Sequence, residues 1–230
     1  MKMYNLDGQT ALLVGSTGNL GPIWKAALEA AGATVYATMN DVDVRIAHSI
    51  EGLKGAMKRG YGMPDIIVYN AGVDHTPGSA GGLWTEGDIM NVNYMGARRV
   101  CEAFWPELKK KHESQILFIG SMYGSMASNP NNYADGFDKP LDYGASKAAL
   151  VNMAKNLAVR GAPYGIRVNV LSPAGIENDQ DENFKRKYLK SMPMGRMAQP
   201  EDMKRALVGI LTQTYLTGHE IVVDGGYTAW

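Results

Sequence analysis

An α/β fold built on a doubly wound parallel sheet is what this sequence predicts, and three observations predict it. Short apolar runs recur along the 230 residues without polar alternation, as strands covered on both faces do. Segments of helical period separate them. A glycine-rich turn closes the first run and opens the first helical segment, the usual junction of such a sheet.

In chain order, the runs "TALLVG" (10–15), "ATVYAT" (33–38), "DIIVYN" (65–70), "QILFIG" (115–120), "RVNVLS" (167–172) and "EIVVDG" (220–225) read as buried strands. Helical period fills 21–31, 46–60, 88–111, 144–160 and 200–212. No repeat, low-complexity tract or linker divides the chain, and its length suits one domain, 1–230. The formal net charge is zero, so no overall field favours nucleic acid or an anionic membrane. One cysteine, Cys101, excludes internal disulfides and a thiolate cluster and agrees with a reducing compartment. His48, His75, His112 and His219 lack ligand spacing, so no metal is expected. With neither a leader-like start nor an apolar run of membrane-spanning length, the expectation is a cytoplasmic protein.

Ligands of such sheets bind beyond the carboxyl ends of the strands, and several motifs fall there. In "VGSTGNLG", Gly15, Gly18 and Gly21 allow a tight turn and close approach to a pyrophosphate at a helix N-terminus, with Pro22 in the first helical turn. Glycines also serve such turns for purely steric reasons, so the trio carries little alone. "NAG" (Asn70, Ala71, Gly72) closes the third run with small residues. Tyr143 and Lys147 in "LDYGASKAAL" share one helix face, among Gly144, Ala145 and Ser146, which are too small to cover them. A nearby ammonium favours a phenolate and suits a general acid–base. This spacing is common by chance, and its position gives it weight.

Taken together, the order of the Gly-rich turn, "YNAG", Asn93 in "NVNYMG", Ser121 in "FIGSMYG", Tyr143-x-x-x-Lys147, "LSPAGI" and "YLTGHEIVVDGG" resembles the short-chain dehydrogenase/reductase family over essentially the whole chain. The resemblance implies a Rossmann-type fold, NAD or NADP as cofactor, and hydride transfer to or from an alcohol or carbonyl carbon of a small-molecule substrate. It implies Tyr143 as the acid–base, Lys147 holding that phenol towards phenolate and binding the nicotinamide ribose, and Ser121 fixing the substrate oxygen. Asn93 would hold a water in a proton path from Lys147. It further implies cofactor contacts from Gly15, Thr17, Gly18, Asn19, Leu20, Gly21, Asp43, Val44, Asn70, Ala71, Gly72, Tyr143, Lys147, Pro173, Ala174 and Ile176. Helices matching 96–111 and 147–160 would pair across a two-fold axis in a homotetramer. Two other readings stay open, a dinucleotide sensor without turnover and a cofactor-free lyase resembling the halohydrin dehalogenases; the latter carry Arg where this chain has Lys147.

Departures from the family pattern are informative. The glycines run G-x-x-G-x-x-G with Asn19 where a glycine is usual, and Asn tolerates left-handed dihedrals. Ala174 replaces a common glycine. The Ser121–Tyr143 interval is lengthened by "SNPNNYADGFDKP", which could wall the substrate pocket through Tyr133 or its asparagines. The 176–199 segment matches the family's variable lid, and with "DGGYTAW" it resembles a surface-sugar subgroup, favouring a polar or sugar-linked carbonyl. Aligned backwards from "NAG", Asp43-Val44 falls on the family's adenine-contacting pair, yet only about four residues separate it from the second strand, where a parallel crossover needs a dozen or more. A sheet of about six strands lacking one crossover helix is therefore expected, with an adenosine pocket open on one side. Met39 stands where NAD users often have Asp, no Arg follows, and Asp41 would repel a 2′-phosphate, a slight lean to NAD.

Overall fold

A computed structural model describes residues 5–74, 84–133 and 139–229; part of the 128–140 insertion lies outside them. Six parallel strands form one sheet in the order β2-β1-β3-β4-β5-β6. They are β1 (Thr10–Val14), β2 (Thr34–Ala37), β3 (Ile66–Tyr69), β4 (Ser114–Ile119), β5 (Ile166–Pro173) and β6 (Glu220–Val223). All six residues of β4 are buried, which is why its sequence shows no polar alternation.

Helices cover both faces. On one side α2 (Ala47–Gly60), α4 (Ala97–Lys111) and α5 (Leu141–Gly161) bring Ile50, Leu53, Met57, Phe104, Leu108 and Leu150 onto Leu12, Ile67 and Val168. On the other, α1 (Gly21–Ala30) and α7 (Pro200–Leu211) bring Trp24, Leu28, Met203 and Leu207 onto Leu13, Val68 and Leu171. Each fully buried side chain of this kind contributes about 1.5–3 kcal/mol relative to exposure.

The connection after β2 settles the question raised by its length. Residues 38–46 form no strand and run across the strand ends into α2, which returns to β3 on the far side of β1. The chain thus leaves β1 for β2 on one side and enters β3 on the other, so the switch point lies between β1 and β3. The expected helix over 88–111 is present as α3 (Glu86–Met90), a π-helical stretch (Asn91–Gly96) and α4. One further helix, α6 (Glu182–Leu189), lies in the segment read as a lid. Among the described residues no helix is long and apolar enough to cross a membrane.

Candidate active site

A cleft of about 410 Å³ opens at the switch point, within the range of small-ligand sites. Its walls include Gly15, Thr17 and Gly18 from the glycine turn, Asp43 and Val44, and Asn70, Ala71 and Gly72. The three glycines have different work. Gly15 has φ +85°, and a Cβ there would stand 2.5 Å from Ala71 backbone atoms. A Cβ on Gly21 would stand 2.1 Å from the Ser16 carbonyl oxygen. Gly18 has open space beside it and lines the cleft. Packing therefore requires the outer two, and the middle one leaves room for a ligand.

A hydrogen-bond frame fixes the turn. Thr38 Oγ1 accepts from the Gly15 N–H at 3.0 Å, and the Thr38 carbonyl accepts from Ser16 Oγ at 2.6 Å. Asn70 accepts from buried Trp24 Nε1 at 2.8 Å and donates to the Gly15 carbonyl at 2.5 Å. Leu20 leads into α1 without a side-chain cap, so no side chain occupies the first-turn N–H groups, the anion-binding end of a helix. His112 is the one described non-glycine residue at positive φ. Asn19 thus does not use the left-handed conformation expected of it, because Gly15 already makes the sharp turn. Of the expected cofactor contacts, Tyr143, Lys147, Asn19, Leu20, Gly21, Pro173, Ala174 and Ile176 are not among the residues lining the cleft; the last three lie at or beyond the end of β5, where Ala174 N–H donates to the Val223 carbonyl at 3.1 Å.

The far wall holds residues the sequence reading did not place there: Thr38, Asn40, Arg45 and Trp84. The expectation that no Arg follows Met39 needs correction, because Arg45 reaches the cleft. Its guanidinium is already committed, to Asp43 at 2.8 Å and to Asp88 at 3.2 Å, and lies 5.4 Å from the Trp84 ring centroid. The Arg45 hydrogen bond holds the Asp43 carboxyl below its ordinary range. Sequence spacing could not have shown this, since a short connection closes the distance from Arg45 to Trp84 and Asp88.

Beyond Gly72 the cleft meets the polar cluster. A Cβ on Gly72 would lie 3.4 Å from Lys147 Nζ and 3.5 Å from Asn93 Oδ1. Ser121, just past the end of β4, is buried and sits beside the Tyr143 phenol, whose acidity it raises. Tyr143 stands in the first turn of α5, and Lys147 Nζ lies 5.7 Å from its ring centroid while donating to the Ile119 carbonyl at 2.9 Å. Asn93 is fully buried; it accepts from Val73 N–H at 2.8 Å and donates to the Val73 carbonyl and to Ser146 Oγ, both at 3.0 Å. Its amide is spent tying the end of the cleft to α5.

Electrostatics correct one expectation. Burial pushes the Tyr143 phenol well above its ordinary value, the negative charge of Asp74 adds to this, and the Ser121 hydrogen bond opposes it. The phenol is therefore protonated at neutral pH, rather than drawn towards phenolate. Burial likewise lowers the Lys147 ammonium to about 8, against the pull of Asp74. Between about pH 8 and 10.5 the unfolded chain holds this proton and the folded chain does not, so stability rises with pH across that window. Below it, the whole cost of the buried charge is present. Lys147→Met should stabilise the protein at pH 7 by on the order of 3 kcal/mol and abolish that rise; urea denaturation at pH 7 and 10 checks it, and an unchanged slope refutes it.

The described part of the 128–140 insertion packs against α6. Tyr133 packs on Phe184, 5.6 Å between centroids, and Phe184, Tyr188 and Tyr227 continue the stack. Tyr133 also shares a 3.0 Å hydrogen bond with Tyr123, and Asn132 donates to the Tyr227 hydroxyl at 2.7 Å. The described part of the insertion is thus bonded to Tyr123, α6 and Tyr227.

Comparison with known proteins agrees with this geometry. A family model described as enoyl-(acyl carrier protein) reductase matches residues 16–228. A sorbose reductase of Schizosaccharomyces pombe is 28% identical over 259 residues, covering 98% of each chain. A ribulose-forming D-arabinitol 2-dehydrogenase of Scheffersomyces stipitis is 27% identical, covering 99% of this chain and 96% of the relative. The crystal structure of a short-chain dehydrogenase from Leptospira borgpetersenii with bound NAD+ matches with a TM-score of 0.87 at 26% identity, covering 98% of this chain and 95% of that one. With its six parallel strands, its cleft at the switch point, and Ser121, Tyr143 and Lys147 gathered beside it, the chain belongs to the short-chain dehydrogenase/reductase family of oxidoreductases that use a nicotinamide dinucleotide.

Proposed function

We propose that the chain interconverts a ketone and a secondary alcohol on a polar, sugar-type substrate, with NAD preferred to NADP. The observation that carries this is the meeting of a phenol, a hydroxyl and an ammonium just beyond Gly72 of a cleft that also runs to the glycine turn before the uncapped helix α1. The open space at Gly18 and the uncapped first turn of α1 fit a pyrophosphate, and Gly72 with Lys147 fits the ribose beyond it. A bound dinucleotide supplies or accepts the hydride. Tyr143 holds the proton that the carbonyl oxygen takes up on reduction and receives it back on oxidation. Ser121 hydrogen-bonds the same oxygen and shares its developing charge. Lys147 binds the ribose and keeps a positive charge beside the phenol. Asn93 positions the loop after β3.

The preference for NAD rests on the adenosine end. Arg45 is the one cation among the described residues lining the cleft, and Asp43 and Asp88 both hold it. A 2′-phosphate would have to compete with two carboxylates for it. The relatives named for sorbose and arabinitol support a sugar-type substrate. A cytoplasmic homotetramer is part of the same reading, supported by Val159, 77% exposed on α5, a helix through which the family's subunits pair.

One preparation tests all of this. NADH absorbance should fall when sorbose or ribulose is added, kcat/KM for NADH should exceed that for NADPH severalfold, and light scattering should give four chains. Selective use of NADPH, a monomeric mass, or no absorbance change with any carbonyl would each overturn the corresponding part.

A further inference from the structure

Two ammonium groups face the ring of Tyr143. Lys147 is accounted for above. The second is Lys139, whose Nζ lies 4.7 Å from the same centroid, closer than Lys147. Lys139 closes the 128–140 insertion and forms an ion pair with Asp74, two residues beyond Gly72. Their side chains are only 13% and 22% exposed. The same Nζ lies 6.0 Å from the Tyr123 ring centroid, so the pair stands on the insertion side of Tyr143. Asp74 Oδ1 is shielded from solvent and has no hydrogen-bond partner among the described residues.

An ion pair kept only for folding gains little when largely buried, and it does so only if the remaining lone pairs are satisfied. Here one carboxylate oxygen is unsatisfied, beside the group that handles the reacting oxygen. We propose that Asp74 and Lys139 form a subsite that reads a substrate hydroxyl one or two carbons from the reacting carbon, so that the chain selects neutral polyhydroxylated ketones and their polyols. This rests on Tyr143 acting at the substrate oxygen.

The chemistry follows from the two charges. A hydroxyl is a donor and an acceptor at once, so it can donate to the Asp74 carboxylate while accepting from Lys139. The Cβ–Cγ torsion of an aspartate is broad, so a partial turn can swing the shielded oxygen of Asp74 towards an incoming hydroxyl without backbone movement. A plain ketone brings neither partner and leaves both charges desolvated. A carboxylate substrate gains Lys139 but meets the negative charge of Asp74. No proton or electron is transferred at the subsite.

The test compares three-carbon ketones that differ only at the neighbouring carbon. Wild-type kcat/KM with NADH should be at least about 100-fold higher for hydroxyacetone than for acetone, with pyruvate poorest, because a site built for a hydroxyl strongly rejects analogues that lack it. In Asp74→Asn and Lys139→Met that ratio should fall at least tenfold, while Lys139→Arg keeps it within a few-fold. The NADH Kd and melting temperature of each variant report an intact fold. An unchanged ratio in both variants, or pyruvate preferred to hydroxyacetone, overturns the subsite. Ligand-observed NMR with 1,2-propanediol and 2-propanol on the NADH-bound Tyr143→Phe protein makes the same comparison without turnover. Loss of the diol preference on adding Asp74→Asn supports the subsite even if no ketone is reduced, and its persistence refutes it.

Discussion

Tyr143→Phe should lower kcat by about 10³-fold while the NADH Kd stays within twofold of wild type. Burial and Asp74 both keep the phenol protonated at neutral pH, so it has a proton to give to the substrate oxygen, and positioned acid–base groups contribute about 10²–10⁴ to rate. Phe keeps the ring against which Lys147 and Lys139 pack and removes a buried hydroxyl. Melting should therefore shift by less than the equivalent of about 1 kcal/mol. Stopped-flow hydride transfer and calorimetric binding read the two quantities apart. Turnover within a few-fold of wild type would show that another group moves the proton.

Gly21→Ala and Gly18→Ala should behave in opposite ways, although the two glycines belong to one motif. A methyl on Gly21 would meet the Ser16 carbonyl oxygen at 2.1 Å, its carbon at 2.3 Å and Ser16 Cα at 2.6 Å. These are backbone atoms held by Thr38, whose carbonyl accepts from both Ser16 N–H and Ser16 Oγ. Relief requires the turn to open, so Gly21→Ala should destabilise by about 3 kcal/mol and lose dinucleotide binding with the turn. Gly18→Ala meets nothing within 4 Å and should leave stability within about 0.5 kcal/mol, yet weaken ADP-ribose binding at least tenfold. Urea denaturation and calorimetric titration separate the cases; equal stability losses would mean that both glycines serve packing alone.

The inner strands were legible because they are apolar on both faces: "SQILFI" is buried throughout, whereas β2 and β6, read as buried, lie at the sheet edges and are only partly covered. The missing crossover was legible by chain length alone, since too few residues lie between β2 and Asp43 to build one. Tyr143, Lys147 and Ser121 were legible as a set, through the order of motifs. What escaped has a common cause in distance along the chain. Arg45 to Asp88 spans 43 positions and Lys139 to Asp74 spans 65, and neither pairing has a local signature. The role of Asn70 depends on Trp24, 46 positions away. The phenolate expectation failed for an energetic reason, because spacing reports that an ammonium is near but not how dry the phenol is.

The π-helical stretch at Asn91–Gly96 fixes a phase between two halves of one rod. Its wider turns hold one residue more than an α-helix would in the same length. Upstream of that residue, Asn93 points at Val73 and Ser146; downstream, Val100, Cys101, Phe104 and Leu108 point into the core. Each residue of an α-helix advances about 100° around its axis. Deleting one residue from the stretch would restore α geometry and rotate one half against the other by that angle, so Asn93 and the apolar stripe could no longer both face inward. The segment is therefore intolerant of a change in length, even where individual side chains could be exchanged. Gly96 narrows the tolerance further, since a Cβ there would stand 2.5 Å from the Tyr69 hydroxyl, which donates to the Val92 carbonyl at 2.6 Å and clamps the wide turn onto the end of β3.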